Sequence, residues 1–306
     1  MPSPIAVSSP IAPRQNRTGL GIALMACAVL FFTFIDTSAK WLATAGFATL
    51  QIVFLRYGGH FLVSLAMFLP REGRSALRSN APKRQLLRSA SLFLGTALNF
   101  AALQYLPITV TITIMFAIPI AVTLLAIPIL GERVGPHRIG AVIVGFSGVL
   151  VVMQPWGAGF HPAMLFNIAA MICASLYFIM TRMLAGVDSN STAQIWSSGL
   201  GAFCLAPFVW AFWQWPADAV DWVPFILIGI FGAVGHNFAT NAHRMADASI
   251  LSPVMYLQMI FAAVVSVVIF NTWPTPWTLA GGLIIAAAGL YVWHRERQHS
   301  ADDPNA

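Results

Sequence analysis

The sequence predicts an all-α integral membrane protein of ten transmembrane helices, built as two inverted five-helix repeats. Three observations carry this reading. Of the 306 residues 58% are apolar and 8% charged, against about 25% charged in an average soluble domain, so no polar skin is available. Apolar runs recur at lengths near the roughly 20 residues that a helix rising 1.5 Å per residue needs to cross a bilayer. The charges between those runs alternate by side.

The elements follow in order. Residues 1–18 hold Pro, Ser, Arg and Asn without the apolar core of a signal peptide and read as a disordered cytoplasmic tail. Spans are expected at 19–43, 47–69, 86–106, 108–130, 139–154, 162–184, 192–214, 222–242, 249–270 and 276–294, and residues 295–306 read as a second cytoplasmic tail. The fifth span is short, and the breaks at 44–46 and 107 are tight. With the first tail inside, the inner segments hold Arg14 and Arg17, then Arg71, Arg74, Arg78, Lys83, Arg84 and Arg88, then Arg133, Arg138, Arg182, Arg244, Arg295 and Arg297, which is 14 of the 16 basic residues. The outer connections carry only Asp218 and Asp221. Positive residues gather on the cytoplasmic side of membrane proteins, so the net charge of +6 expresses topology and not a nucleic-acid surface. A cell membrane, in bacteria the inner one, is the expected location. Cys27, Cys173 and Cys204 each lie in an apolar stretch, which excludes a disulfide scaffold and a metal cluster.

The connection Pro155–His161 divides the chain into five spans and five, 19–154 and 155–294. Five is odd, so a second copy must enter the membrane from the opposite face, the inverted repeat of many secondary transporters. Residues 106–152 align without gaps on 246–292, pairing Met115 with Met255, Ile120 with Ile260, Pro136 with Pro276 and Leu150 with Leu290.

The segment Ile129-Leu130-Gly131-Glu132-Arg133-Val134-Gly135, followed by Gly140, Gly145, Gly148 and Val149, resembles the end of an EamA-type repeat of the drug/metabolite transporter superfamily. Trp277-Thr278-Leu279-Ala280-Gly281-Gly282 through Gly289-Leu290-Tyr291 resembles its partner, and Arg56-Tyr57 resembles the arginine such repeats often carry on the second span. The sequence departs at Asn271-Thr272, which stands where a second Gly-Glu is expected. The resemblance implies a ten-helix carrier with a cavity shared by the halves and with helices five and ten outermost. Riboflavin importers, S-adenosylmethionine carriers and amino-acid exporters are all similar in this way.

Charges inside spans are costly, about 3 kcal/mol at a helix centre, and three stand out. Asp36 and Lys40 lie four apart on one helix, where opposite charges can meet. Asp36 and Arg56 fall at comparable depth, about 10 and 14 Å from the outer end, so a bridge between the first two helices is open, either as a gate or as a fixed strut. Proton coupling needs a group that releases and regains its proton. Asp36 stands between two cations, which leaves His60 and His236 as candidates and favours a facilitator or exchanger. Asn99, Thr109, Thr113, Tyr177, His236, Asn237, Tyr256 and Gln258 are the candidate substrate-binding side chains, each able instead to join helices. Pro119 is the candidate hinge. Small pairs Ala141/Gly145 and Gly282/Ala286 suit close helix packing or a homodimer through helices five and ten.

The leading expectation is a secondary carrier for a small organic metabolite, without cofactor or metal. Twenty-two Phe, 10 Trp and 5 Tyr beside uncharged polar groups suggest a planar vitamin such as riboflavin, with export of amino acids as the alternative. A nonenzymatic receptor or assembly factor would bind without flux. Gly145-Phe146-Ser147-Gly148 matches the G-x-S-G string of intramembrane serine proteases. No histidine pattern accompanies it, and such a string arises readily by chance in a Gly-rich helix.

Overall fold

The computed structural model describes residues 18–131, 135–157, 159–184, 186–246 and 248–302. Twelve α-helices cover them: α1 (Thr18–Thr44), α2 (Thr49–Glu72), α3 (Pro82–Leu103), α4 (Ile108–Met115), α5 (Ile118–Leu130), α6 (Pro136–Met153), α7 (Ala163–Met183), α8 (Asn190–Val209), α9 (Trp222–Met245), α10 (Ala248–Leu251), α11 (Leu257–Val268) and α12 (Pro276–Asp302). Among the described residues eight helical segments are long and apolar enough to cross a membrane, with α4 and α5 counted as one, and two shorter apolar helices, Ile139–Met153 and Pro253–Val268, stand at the fifth and ninth crossings.

Two crossings are broken, at matching places. The fourth consists of α4 and α5 separated at Phe116 and Ala117, with Pro119 in the first turn of α5. The ninth consists of α10, a 3-10 turn over Ser252–Tyr256 containing Pro253, and α11. Proline removes an amide donor and resists a preceding helical turn, which accounts for both interruptions. The starts of α3, α4 and α6 recur 140 residues later as the starts of α9, α10 and α12. Gly131 and Asn271, also 140 apart, both take left-handed backbone angles, φ 69° and 49°. Gly and Asn tolerate that conformation best. The symmetry therefore reaches the backbone of a motif position where the residues differ. Glu132, Arg133 and Val134 of that motif lie outside the described residues.

Packing repeats the relation. α1 lies against α9 and α3 against α7, while α2 meets α8, α4 meets α11 and α6 meets α12. The first two contacts exchange under the repeat, α2 with α8 and α6 with α12 join an element to its own equivalent, and α4 with α11 joins the equivalent fourth and ninth crossings. α6 and α12 form one flank. A Cβ on Gly148 would approach Gly281 O at 2.8 Å, and one on Gly145 would meet Ile120 and Ala288. Gly282 likewise faces Met259 and Thr113. The small residues considered for a homodimer thus serve packing within the chain, and Ile143, Val144, Leu150, Leu283 and Leu290 make up the exposed face. α12 also runs beyond the expected end at His294 to Asp302. Arg, Glu and Gln are good helix formers, so loss of hydropathy did not end the helix.

Two buried clusters form the core. The larger runs through Leu42, Val53, Tyr57, Leu103, Ile114, Met171, Ile228 and Ile285, and the smaller joins α1 to α9 through Met25, Val29 and Ala242. Hydroxyls inside the bundle return to their own helices: Thr37 to Thr33 O (2.7 Å), Thr113 to Thr109 O (2.7 Å) and Ser198 to Gln194 O (2.7 Å). Within lipid this satisfies a polar group without a neighbouring helix.

Candidate functional site

The end bearing the exposed Arg71, Arg74, Arg78, Lys83 and Arg84, here the basic end, is closed by bonds between the two halves. Asp188 accepts from Ser79 Oγ (2.5 Å) and from the Asn80 amide (2.7 Å), and Asn80 Nδ2 donates to Val187 O at 2.8 Å. Ser191 donates to Glu72, and Trp196 Nε1 to Leu77 O at 3.0 Å. At the opposite end Trp41 Nε1 donates to Asp221 (2.7 Å), and Gln51 forms a two-bond pair with the backbone of Gln214 at 2.6 and 3.1 Å. Trp213, Trp215, Trp222 and Phe225 pack together there, Trp215 stacked on Trp222 and the other pairs edge to face, and tryptophan is an amphipathic ring that favours a bilayer interface.

Between the two ends the polar side chains fall into connected groups. Asp36 Oδ1 accepts from Asn99 Nδ2 (3.1 Å), and Asn99 Oδ1 accepts from Asn167 Nδ2 (2.7 Å), which links α1, α3 and α7. Neither expected ion pair is made as a contact. Lys40 instead donates to Leu103 O (2.7 Å) and Leu106 O (3.0 Å), capping the C-terminus of α3. Free carbonyls at a helix end carry negative partial charge, which makes them a competent acceptor for an ammonium group four residues from the carboxylate. Arg56 is 5% exposed, stacks over its neighbour Tyr57 at 4.6 Å and attracts Asp36 through space, but its Nη1 has no hydrogen-bond partner.

One turn along α2, His60 Nε2 lies 3.2 Å from Gln194 Oε1, and its ring stacks on His236 at 5.5 Å. Phe32 packs against the His236 ring in a tilted arrangement at 5.1 Å. The approach of α9 that permits this stack depends on the glycine pair Gly59 and Gly229, since a Cβ on Gly229 would lie 2.5 Å from Gly59 Cα. Towards the basic end, Arg88 of α3 is surrounded by acceptors: Thr181 Oγ1 at 2.7 Å, Ser197 Oγ at 2.8 Å, Ala193 O at 3.2 Å and Tyr177 OH at 2.9 Å, with the Tyr177 ring 4.5 Å from its guanidinium. Arg88 is counted above with the inner connection although it falls within the expected third span, 86–106. α3 begins at Pro82, so Arg88 lies in its second turn, a fourth charge inside the bundle.

Phe116 and Tyr256, the residues at the two helix breaks, touch edge to face at 5.3 Å. Thr109 and Thr113 border a small, mostly apolar cleft with Met259, Ala262 and Thr278. Asn237 accepts from Asn241 along α9 at 2.9 and 3.0 Å, and Gln258 is half-buried in the first turn of α11. Ser147 donates to Val144 O of its own helix on the exposed face of α6. Asn167, Gln194 and Ser197 are additions that sequence reasoning passed over, although each is a polar residue in an otherwise apolar run.

Two inverted five-helix units, each interrupted in its fourth crossing where the units meet, with buried polar groups gathered between them, define a two-repeat membrane carrier. The chain belongs to the EamA-like transporter family, which it matches twice, over residues 19–154 and 161–293. It is similar to a riboflavin transporter of Rhizobium johnstonii, 30% identical over 292 residues, with 94% of this chain and 95% of that protein covered. An S-adenosylmethionine uptake transporter of Rickettsia prowazekii is 28% identical over 263 residues, covering 86% of this chain and 88% of the relative. A solved crystal structure at 20% identity covers 89% of this chain and 98% of its own at a TM-score of 0.60, a likeness of fold. The protein is a multi-pass membrane transporter of a small metabolite.

Proposed function

We propose that the chain is a secondary carrier in the bacterial inner membrane that moves a planar, vitamin-like metabolite such as riboflavin by alternating access between its two five-helix halves. The observation that carries this reading is the meeting of two interrupted helices at Phe116 and Tyr256. Interrupted helices in corresponding places of inverted repeats leave backbone groups free at the bundle centre, where secondary carriers bind their cargo. His236, Tyr177, Asn99, Thr113, Asn237, Tyr256 and Gln258 are the proposed substrate-facing side chains, with Asp36, Lys40 and Arg56 as the charges that set its orientation and Pro119 beside the hinge. The polar bonds at the basic end and those around Gln51 and Trp41 are the proposed gates, broken in alternation.

Both termini lie on the cytoplasmic side in this reading, because the basic connections gather at one end. Reporter fusions at each terminus and within 71–84 are expected to report cytoplasm, and fusions after Gln154 and near Asp218 the outer side. An outer signal from the C-terminus would break the ten-crossing arrangement. The function itself is tested by flux of radiolabelled riboflavin, S-adenosylmethionine and amino acids into and out of proteoliposomes. Saturable binding without flux of any panel member would turn the reading towards a receptor.

A further inference from the structure

The buried charges of the bundle do not balance. Arg56 and Arg88 are 5% and 6% exposed, and among the described residues Asp36 is the one acid shown to interact electrostatically with Arg56. Lys40 is turned away onto the end of α3. Arg88 bonds only to uncharged acceptors, so one guanidinium charge has no carboxylate. The shortage is local. Arg56 Nη1, His60 Nδ1 and Gln194 Nε2 are all buried without a hydrogen-bond partner. Arg56 and His60 are one turn apart on α2, and Gln194 touches His60 from α8. Both guanidiniums act electrostatically on His236, which stacks against His60. An unmade bond to a buried cation costs far more than an unmade neutral one. A guanidinium is also the side chain best shaped to receive an oxyanion with two parallel bonds.

We propose that Arg56, with Gln194 and His60 beside it, forms a subsite for an anionic oxyacid group, a carboxylate or a phosphate, carried by the transported metabolite. The inference rests on the carrier reading and narrows its substrate. A heterocycle or amino acid bearing one acid group completes the charge balance of the centre, whereas a wholly neutral vitamin leaves Arg56 Nη1 unpaired. The aromatic part of the cargo then lies against His236 and Phe32.

Matched pairs of probes test this: riboflavin 5′-phosphate against riboflavin for a phosphate, and S-adenosylmethionine against its decarboxylated form for a carboxylate. Affinity is measured on the purified full-length chain in nanodiscs. In one pair the acid-bearing member is expected to bind at least about 10-fold more tightly, the scale of a charge-assisted hydrogen bond. Arg56→Gln is expected to abolish that preference by weakening the acid-bearing member more than its partner. An Asp36→Asn/Arg56→Gln double variant serves if the single one folds poorly. Equal binding within both pairs overturns the subsite, as does an equal loss for both members in Arg56→Gln. If none of the four binds, inorganic phosphate and acetate are compared. If neither anion raises the unfolding midpoint of the wild type by more than it raises that of Arg56→Gln, the subsite is overturned too. An Arg56-dependent preference without flux in proteoliposomes refutes the carrier and leaves the subsite standing. Riboflavin flux without any charge preference does the reverse.

Discussion

The two halves share one backbone plan and divide the chemistry unequally. Asp36, Lys40, Arg56 and Arg88 all lie in the first half, and the positions 140 further on are Leu176, Met180, Trp196 and Ile228. Repeated helix starts and matched breaks show that the fold tolerates either set. Charge is therefore not what makes the five-helix unit. It was placed on one copy: Asp36 and Lys40 are bonded within that copy, to Asn99 and to the Leu103 and Leu106 carbonyls, while the other copy supplies Asn167 to Asn99, Gln194 to His60, and Thr181, Ser197 and Tyr177 to Arg88. Each half is incomplete as a polar network, which favours assembly of the two.

The strongest way to break this comparison is a matched pair of substitutions. Arg88→Leu strips four acceptors of their donor and is expected to cost about 3 kcal/mol or more, while Ile228→Leu at the equivalent position costs under about 1.5 kcal/mol. Thermal unfolding in detergent compares them, and equal losses would show that Arg88 contributes no more than its volume. Next comes the seam between the halves. Gly229→Ala forces α2 from α9 and is expected to lose about 1–3 kcal/mol. Gly58→Ala, whose added carbon meets nothing nearer than Phe54 at 3.9 Å, is tolerated. Similar midpoints for both would contradict the close approach.

A smaller effect is expected at Asp36→Asn, which keeps an acceptor for Asn99 but removes the one acid facing Arg56. Flux should fall roughly 10-fold, the factor that corresponds to about 1.4 kcal/mol, and exchanging Asp36 with Arg56 should restore part of it. Unimpaired flux in Asp36→Asn would remove the acid from the mechanism. The smallest expected effect is that of an imposed proton gradient. Concentrative uptake should be unchanged, in the wild type and in His60→Gln and His236→Gln alike. Accumulation that one of these replacements abolishes while exchange survives would locate proton coupling at that histidine.

The crossings were legible because lipid admits few structures and hydropathy reports them directly. The repeat was legible because Pro136 and Pro276 begin equivalent helices and Gly131 and Asn271 both suit a left-handed end. Arg88 was not, because it stands at the very start of the expected span 86–106 and groups with the neighbouring loop charges, whereas the helix starts six residues before it at Pro82. The partners of Asp36 and Lys40 were missed for another reason. Spacing along one helix identifies what can meet, but Asn99 and the carbonyls of Leu103 and Leu106 reach the site from another part of the chain. Asn167 and Gln194 became informative only once the halves were brought together.

The contact of Phe116 with Tyr256 has a further consequence for how such a chain diversifies. Where two separate identical subunits meet on a twofold axis, the residue on that axis faces its own copy, and every substitution there is made twice. Joining the copies in one polypeptide removes that constraint. Here one side of the axis carries a bare ring and the other the same ring with a hydroxyl, so a molecule passing between them meets a hydrogen-bonding face on one flank only. Fusion thus turns a position that could only be greasy or polar on both sides into one that can tell the two ends of its cargo apart.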